Sequence, residues 1–597
     1  MGGTKVGLKA GFFWAGLAIL GAAAVVPAIF PAQARAQAAD PHLTWRTVRT
    51  SHFEIHYHEP LGLVARRVAA IAERAHERLA PLLDHEPSEV TRIVLSDNSD
   101  FANGSATVIP FNRIRLFATG PEDISALSDF DDWLTLLVTH EHTHILHLDT
   151  IGGIPALINM VFGKIYPPNS VQPGWFLEGL ATYEESLHTS AGRIRSTVFD
   201  MYLRTDALEG RLLRMDQISN AVDRFPRGNV RYLYGSRFIE FIAERYGHEA
   251  LTAMSHDYGS QLIPYGVNRT AERATGKTLV ELYQEWLTAT RGRYRRTARR
   301  IRSQGLRTGQ NLTNHGMEAR APRFLDDRQL VYYASDGRDR PQLRVIDARD
   351  GEVLGELDRA SGAAYSSPHP DGHHVYYSSL ETHRDLYNFY DLFRIDRRGG
   401  SRERLTRGMR AREPDVSPNG RRLTFVINGA STTHLAVADI GDIEGTKEII
   451  FRSPRFHQVY TPKWSGDGQT IAFSAWREGG YRDILLIDVA TGRVEEVTRD
   501  RALDIGPAWG PGGRYLYFAS DRTGISNIYA YELSSGRTLQ VTNVLGGAFS
   551  PTISPDGTRI AYLGFARDGW DIWAMDLDPS AFRPAAPYLD DRPAAEP

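Results

Sequence analysis

The 597-residue sequence contains no cysteine. No disulfide can form anywhere in the chain, and no N-terminal cysteine is present to carry a lipid. An excess of one charge is lacking too. With 69 Lys and Arg against 72 Asp and Glu, the formal net charge is −3, which gives no electrostatic case for nucleic acid as a partner. A charge-free apolar run of near-spanning length occurs once, as "AGFFWAGLAILGAAAVVPAIF" behind Lys5 and Lys9 and ahead of "PAQARAQAAD". That order is a basic region, an apolar region and small residues at A-x-A spacing. It predicts a signal peptide over 1–38, cut after Ala36 or Ala38. An uncleaved anchor is the alternative, since the run nearly spans a bilayer. Pro27 and the Ala-rich exit favour cleavage. The expected place is then the bacterial periplasm or the medium, with no stable membrane insertion. Large domains with ample cores fold there without disulfides.

What is present divides the rest into a multidomain chain. Residues 39–304 alternate strand and helix signals: "HFEIHYH", "TRIVLSD" and "RIRLFAT" read as strands, and "LVARRVAAIAERAHERLAPLL" has helical periodicity. "SDFDDWLTLLVTHEHTHILHL" reads as one helix, with Ser128 or Asp129 as its cap and acids in its first turn. This half is predicted to be an α+β domain. It ends in seven arginines between Arg291 and Arg302, the pattern of a solvated helix leading into a linker.

From 305 to 580 the texture changes to an all-β repeat. "HPDGHHVYYSS", "SPNGRRLTFVI", "SGDGQTIAFSA", "GPGGRYLYFAS" and "SPDGTRIAYLG" each set a turn before an alternating strand. Their glycines, Gly372, Gly420, Gly468, Gly513 and Gly557, are 48, 48, 45 and 44 residues apart, one four-stranded blade each. "FLDDRQLVYYAS" is a degenerate sixth copy. The turn aspartates are explained by turn chemistry without calcium. The repeat resembles the TolB-like family of six-bladed propellers, marked by SPDG turns and blades ending in LT. That family is associated with protein–protein contacts, so the resemblance implies a protein partner on the propeller. The last blade lacks an outer strand of its own, and "LRTGQNLTNHG" carries an LT ending without preceding strands. Residues 310–313 are therefore expected to complete the last blade and close the ring. The Pro-rich 581–597 shows no strand pattern and reads as a disordered tail.

The chemistry lies in "LLVTHEHTHILHLDT", residues 136–150. On a helix His140 and His144 share a face, and Glu141 stands about 100° from His140, near enough to handle a water on a shared ion without ligating it. His147 is about 10 Å along the axis from His140, too far to join the same tetrahedron, and His142 points to the opposite face. A catalytic zinc takes three protein ligands and leaves one position open. Glu178 in "PGWFLEGLATYEES" follows a turn and opens a small-residue helix able to pack on the first. These motifs resemble the gluzincin zinc metallopeptidases, the clan of thermolysin and aminopeptidase N, with Trp175, Glu178 and Gly179 matching WxxEG. The spacing to Glu178 is long, with "GGIPALINMVFGKIYPPNSVQ" as the insertion.

The resemblance implies one zinc ion per chain held by His140, His144 and Glu178, and Glu141 as general base. In "RYLYGSRF", it implies an oxyanion-stabilising tyrosine, Tyr232 by its spacing to Gly235, although Tyr234 stands where the clan has lysine. The GxMEN strand of the aminopeptidases is missing, so exopeptidase specificity is unsupported and an endopeptidase is implied. "NRIRLFAT" is the strand expected to pair with a peptide or protein substrate. The alternative is a non-catalytic envelope scaffold or binding protein with a vestigial peptidase half.

Overall fold

The computed structural model describes residues 40–594. The expected signal peptide lies outside them. β1 (Trp45–Arg49), β2 (Phe53–His58), β3 (Thr91–Ser96), β4 (Gly104–Thr107) and β5 (Arg113–Phe117) form a sheet in the order β1-β2-β3-β5-β4. Helix α1 (Gly62–Leu82) is the crossover between the parallel strands β2 and β3. Period-two alternation turns Phe53, Ile55, Ile93, Leu95, Ile114 and Leu116 into the core.

Strand β5 pairs with β3 on one side and β4 on the other, so it is interior. The expectation that "NRIRLFAT" pairs with a peptide is corrected: the edge strand on that side of the sheet is β4. The short "GSAT" has no hydrophobic alternation to mark it as a strand, and only its antiparallel pairing with β5 makes it one.

Helix α2 (Trp133–Asp149) carries the histidine-rich motif and is followed by α3 (Gly153–Phe162), α4 (Gly174–Leu187), α5 (Thr197–Leu208), α6 (Val230–Tyr246), α7 (His248–Gly259), α8 (Val267–Thr275) and α9 (Leu279–Ser303). The cap of α2 is Asp132, whose Oδ1 accepts the Thr135 N–H at 2.7 Å. Neither Ser128 nor Asp129 caps it, and the first turn holds no acid. The preceding acids are taken by distant partners: Asp129 by Arg592 at 2.7 Å, and Asp131 by Ser190 N at 2.6 Å.

Six sheets of at least four strands follow among the described residues, over 318–359, 366–404, 411–451, 458–496, 505–540 and 548–576. The LT signature has a physical role. Thr406 Oγ1 donates to Asp391 Oδ1 at 2.8 Å and accepts from Leu392 N at 3.0 Å. Thr498 does the same with Asp483 and Ile484, and Thr542 with Asn527 and Ile528. Each hydroxyl ties the end of an outer strand to the strand before it. In the sixth blade the hydroxyl is that of Thr313, 2.8 Å from Asp571 Oδ1 and 2.9 Å from Ile572 N. β6 (Gln310–Asn311) pairs with the strand Gly569–Asp576 through Asn311 with Trp573 and Gln310 with Ala574. The segment ahead of the first blade thus closes the ring.

The tail is not disordered up to residue 594. Arg583–Pro584 adds a fifth strand to the fifth blade, against Gln540 and Leu539. Arg501 binds Asp590 at 2.9 Å. Two residues of pairing leave no alternation to read in the sequence.

The halves form one body. Between β5 and α2 the chain crosses the propeller face, where Asp123 meets Arg482 at 3.1 Å, both fully buried. Glu122 binds Arg320 at 3.0 Å and accepts from the Tyr390 hydroxyl at 2.9 Å. Arg410 chelates Asp97 and reaches Asp100 at 2.7 Å. Arg204 on α5 donates to the carbonyls of Leu545 and Gly546. Blades one, two and four thereby hold the segment that leads into α2.

Candidate metal centre

Helix α2 is buried along most of its length by α1, α4 and β4. Its i, i+4 spacing presents His140 and His144 together, their rings 4.8 Å apart and nearly perpendicular. Glu178, in the second turn of α4, closes the group. Its Oε2 lies 3.6 Å from His140 Nε2 and 3.2 Å from His144 Nε2. Donors around a tetrahedral zinc at about 2.0–2.2 Å are separated by roughly 3.3–3.6 Å. The three side chains fit that ion.

What brings α4 to this place is a helix crossing at glycine. A Cβ on Gly235 of α6 would collide with the Trp175 carbonyl, and one on Gly179 would lie 2.5 Å from the Gly235 carbonyl carbon. The two backbones touch, which sets Glu178 and Tyr232, one on each helix, around one centre. Trp175 is fully buried against Phe238 and anchors the crossing.

Tyr232 stacks near His140, ring centroids 6.1 Å apart, while the Arg193 guanidinium lies 4.7 Å over its ring. Burial, and then the Glu178 charge, push its hydroxyl well above the ordinary tyrosine range. It is a hydrogen-bond donor at any physiological pH. Tyr234 is elsewhere, in the core, donating to Asp206 at 2.6 Å and accepting from Leu213 N. Glu141 lies beneath the edge strand, where a Cβ on Gly104 would stand 2.7 Å from its Oε1. Burial raises its carboxyl above the usual range, His140 and His144 pull it down, and Glu178 adds to the rise.

Two residues of the site carry no motif. Glu185 accepts from His140 Nδ1 at 2.9 Å, leaving Nε2 free to face Glu178. Arg193 grips Glu185 with Nε at 2.8 Å and Nη2 at 2.6 Å. Burial raises the Glu185 carboxyl, but Arg193 outweighs it and holds the group at about 2. Glu185 is seven residues from Glu178 on one helical face, a signal readable in the sequence. Arg193 sits in a loop and left none.

His142 faces away from the centre and His147 lies two turns along the helix from His140, as their spacing requires. His142 meets His76 at 3.2 Å, and His147 is held by Ser255 at 2.7 Å and Gln172 at 3.1 Å. Two other clusters among the described residues bring metal-type donors within 4.8 Å. At His52, His76 and Glu86 the imidazoles stack at 4.1 Å and 26°, with both Nε2 atoms facing Glu86 Oε1, at 3.8 and 3.1 Å. At His369, Asp371 and His374 the carboxylate already accepts the N–H groups of His373 and His374, as a turn aspartate does. A cavity of about 890 Å3 lies apart, between α9, the fifth blade and the tail.

A family model described as a TolB beta propeller domain matches residues 390–597. An uncharacterized protein of Treponema pallidum is 24% identical over 459 residues, 76% of this chain and 40% of that protein. Tol-Pal system protein TolB of Anaeromyxobacter dehalogenans is 32% identical over 111 residues, 18% of this chain and 25% of its own length. The chain thus spans less than half of these curated relatives. A crystal structure of TolB from Acinetobacter baumannii aligns with a TM-score of 0.35 and 15% identity, covering 48% of this chain and 73% of that one. The region that the family model matches, residues 390–597, is similar to TolB propellers.

Proposed function

We propose that the chain is an exported zinc-dependent endopeptidase whose catalytic domain is mounted on a TolB-like propeller. The observation that carries this reading is the convergence of His140, His144 and Glu178, from two helices, beside a buried Glu141. A zinc ion held there would supply Lewis-acid activation of a water and of the scissile carbonyl. Glu141 takes the proton of the attacking water and hands it to the leaving amine. Tyr232 donates a hydrogen bond to the oxyanion. Glu185, clamped by Arg193, fixes the His140 tautomer. β4 has one unpaired edge beside Glu141, and an extended peptide can add to it there as a strand. The propeller positions the approach to α2 and offers a face for a protein partner.

The expected result is about one zinc per chain and chelator-sensitive cleavage of an unfolded protein such as casein. Glu178→Ala should lose most of both, because two imidazoles alone bind zinc weakly. Full zinc retention in that variant, by elemental analysis, would show that another residue is the third ligand.

Zinc affinity should depend steeply on pH. Burial and Arg193 push His140 down, but its bonds to Glu178 and Glu185 outweigh both and raise it from 6.5 to about 9 in the metal-free fold. Below about 9 the ion must displace that proton. Affinity should therefore rise about tenfold per pH unit from 7 to 8 and level off above about 9. A chelator-competition titration giving equal affinities at pH 7 and 8 would contradict this.

A second reading, a non-catalytic scaffold, is favoured by the match of the propeller to TolB. It predicts zinc without turnover. The periplasmic site of action belongs to both readings, and N-terminal sequencing of the mature chain together with cell fractionation tests it.

A further inference from the structure

The connection between α2 and α4, which links the two sides of the metal centre, carries an apolar surface that the catalytic reading does not use. Helix α3 and its flanks, residues 150–163, contain no charged residue. Of the ten residues of α3 only Pro155 is buried. Ile154, Leu157, Met160, Val161 and Phe162 are all exposed, Met160 by 77% and Phe162 by 70%. At 100° per residue they cover about 200° of the circumference, far wider than the stripe by which a helix packs on its own domain.

The one polar side chain of α3, Asn159, is turned inward. Its amide closes the following loop, accepting from Ile165 N and Tyr166 N and donating to Tyr166 O. A second charge-free segment, 258–268, stands beside it with Ile263 and Tyr265 exposed, the latter by 88%. The two are tied together: Tyr166 donates to Leu262 O at 2.6 Å, and Gly152 N to Gly259 O at 3.1 Å. They form one braced protrusion.

We infer that this protrusion docks the protein on a lipid bilayer. A protein interface carries hydrogen-bonding groups and a polar rim that set its register. Here two adjoining segments expose large apolar side chains with no charge among them, which suits a partner that is fluid and non-directional. An apolar patch of this kind on a folded domain marks an interaction site. Ten helical residues span about 15 Å, half the hydrocarbon thickness, so α3 lies in the interface and does not cross it. Among the described residues no single helix is long and apolar enough to cross. Lys164, which follows α3, is neutralised by Asp149 and Glu89. Arg269, beside Gly266, is an exposed cation flanking the second segment, so headgroup charge plays a minor part beside the apolar surface. Attachment is then peripheral and reversible, and it holds the metal centre close to the membrane surface. The inference does not rest on hydrolysis.

The test uses the full-length protein with Phe162→Cys, the only thiol in the chain, carrying an environment-sensitive fluorophore. Zwitterionic phosphatidylcholine vesicles should shift its emission to the blue, and nitroxide-labelled acyl chains should quench it. The effect should be the same with anionic vesicles and in high salt. Leu157→Ser, Val161→Ser and Phe162→Ser together should lower vesicle partitioning about tenfold or more with the melting temperature unchanged. The label reports the tip itself, so attachment elsewhere in the chain cannot imitate the result. An emission unchanged by vesicles would overturn the inference. So would a shift that needs anionic lipid and vanishes in salt, or one that follows protein concentration without vesicles, which would make the occupant a second copy.

Discussion

Replacing Glu141 by glutamine should abolish peptide hydrolysis and leave zinc bound. Glutamine keeps the volume under Gly104 and Leu137, so α2 and its two histidines stay where they are. What is lost is the basic oxygen. The side chain lies under a free strand edge, where an added peptide would place its scissile bond, and a general base in such a position contributes about 10²–10⁴ in rate. The fall should appear in kcat at unchanged metal content, measured by steady-state hydrolysis and elemental analysis on the same preparation. Undiminished kcat would remove the base assignment. Loss of zinc would show that Glu141 belongs to the ligand set, and a wild type that binds zinc but never cleaves would leave the scaffold reading standing.

Deletion of 306–314 should be the most destabilising change to the propeller. It takes away β6, the Thr313 hydroxyl that joins Asp571 to Ile572 N, and the buried Leu312 side chain. It also exposes the edge of Gly569–Asp576 as an open template. At about 1 kcal/mol per hydrogen bond and 2 for the leucine, the loss is roughly 5 kcal/mol or more, a fall in Tm above about 10 °C. Removing the last dozen residues leaves Arg583–Pro584 in place. It severs the buried Arg592–Asp129 pair and the Arg501–Asp590 pair but opens no sheet edge, so a smaller fall is expected. Equal melting of the intact chain and the 306–314 deletion, by calorimetry, would refute closure by this segment.

Much of the architecture is legible along the chain because it is periodic. The 48, 48, 45 and 44-residue spacing of turn glycines counts blades, and an LT without its own strands points to the strand it must complete. An i, i+4 pair faces one way on any helix, so His140 and His144 had to lie together, and His142 and His147 had to lie apart from them. Glu185 was readable by the same geometry, seven residues from Glu178.

Only the tertiary structure decided the rest, and the reason is range. Asp132 became the cap because Asp129 and Asp131 are held by residues 463 and 59 positions away. Tyr232 rather than Tyr234 faces the centre because the Gly179–Gly235 contact fixes the rotation of α6 against α4, and no local pattern encodes which side of a buried helix touches another. β4 became the free edge through strand order, and Arg583–Pro584 became a strand through its partner. Local rules set by 3.6- and two-residue periods reach a few residues along the chain. The centre is assembled by contacts that span tens to hundreds.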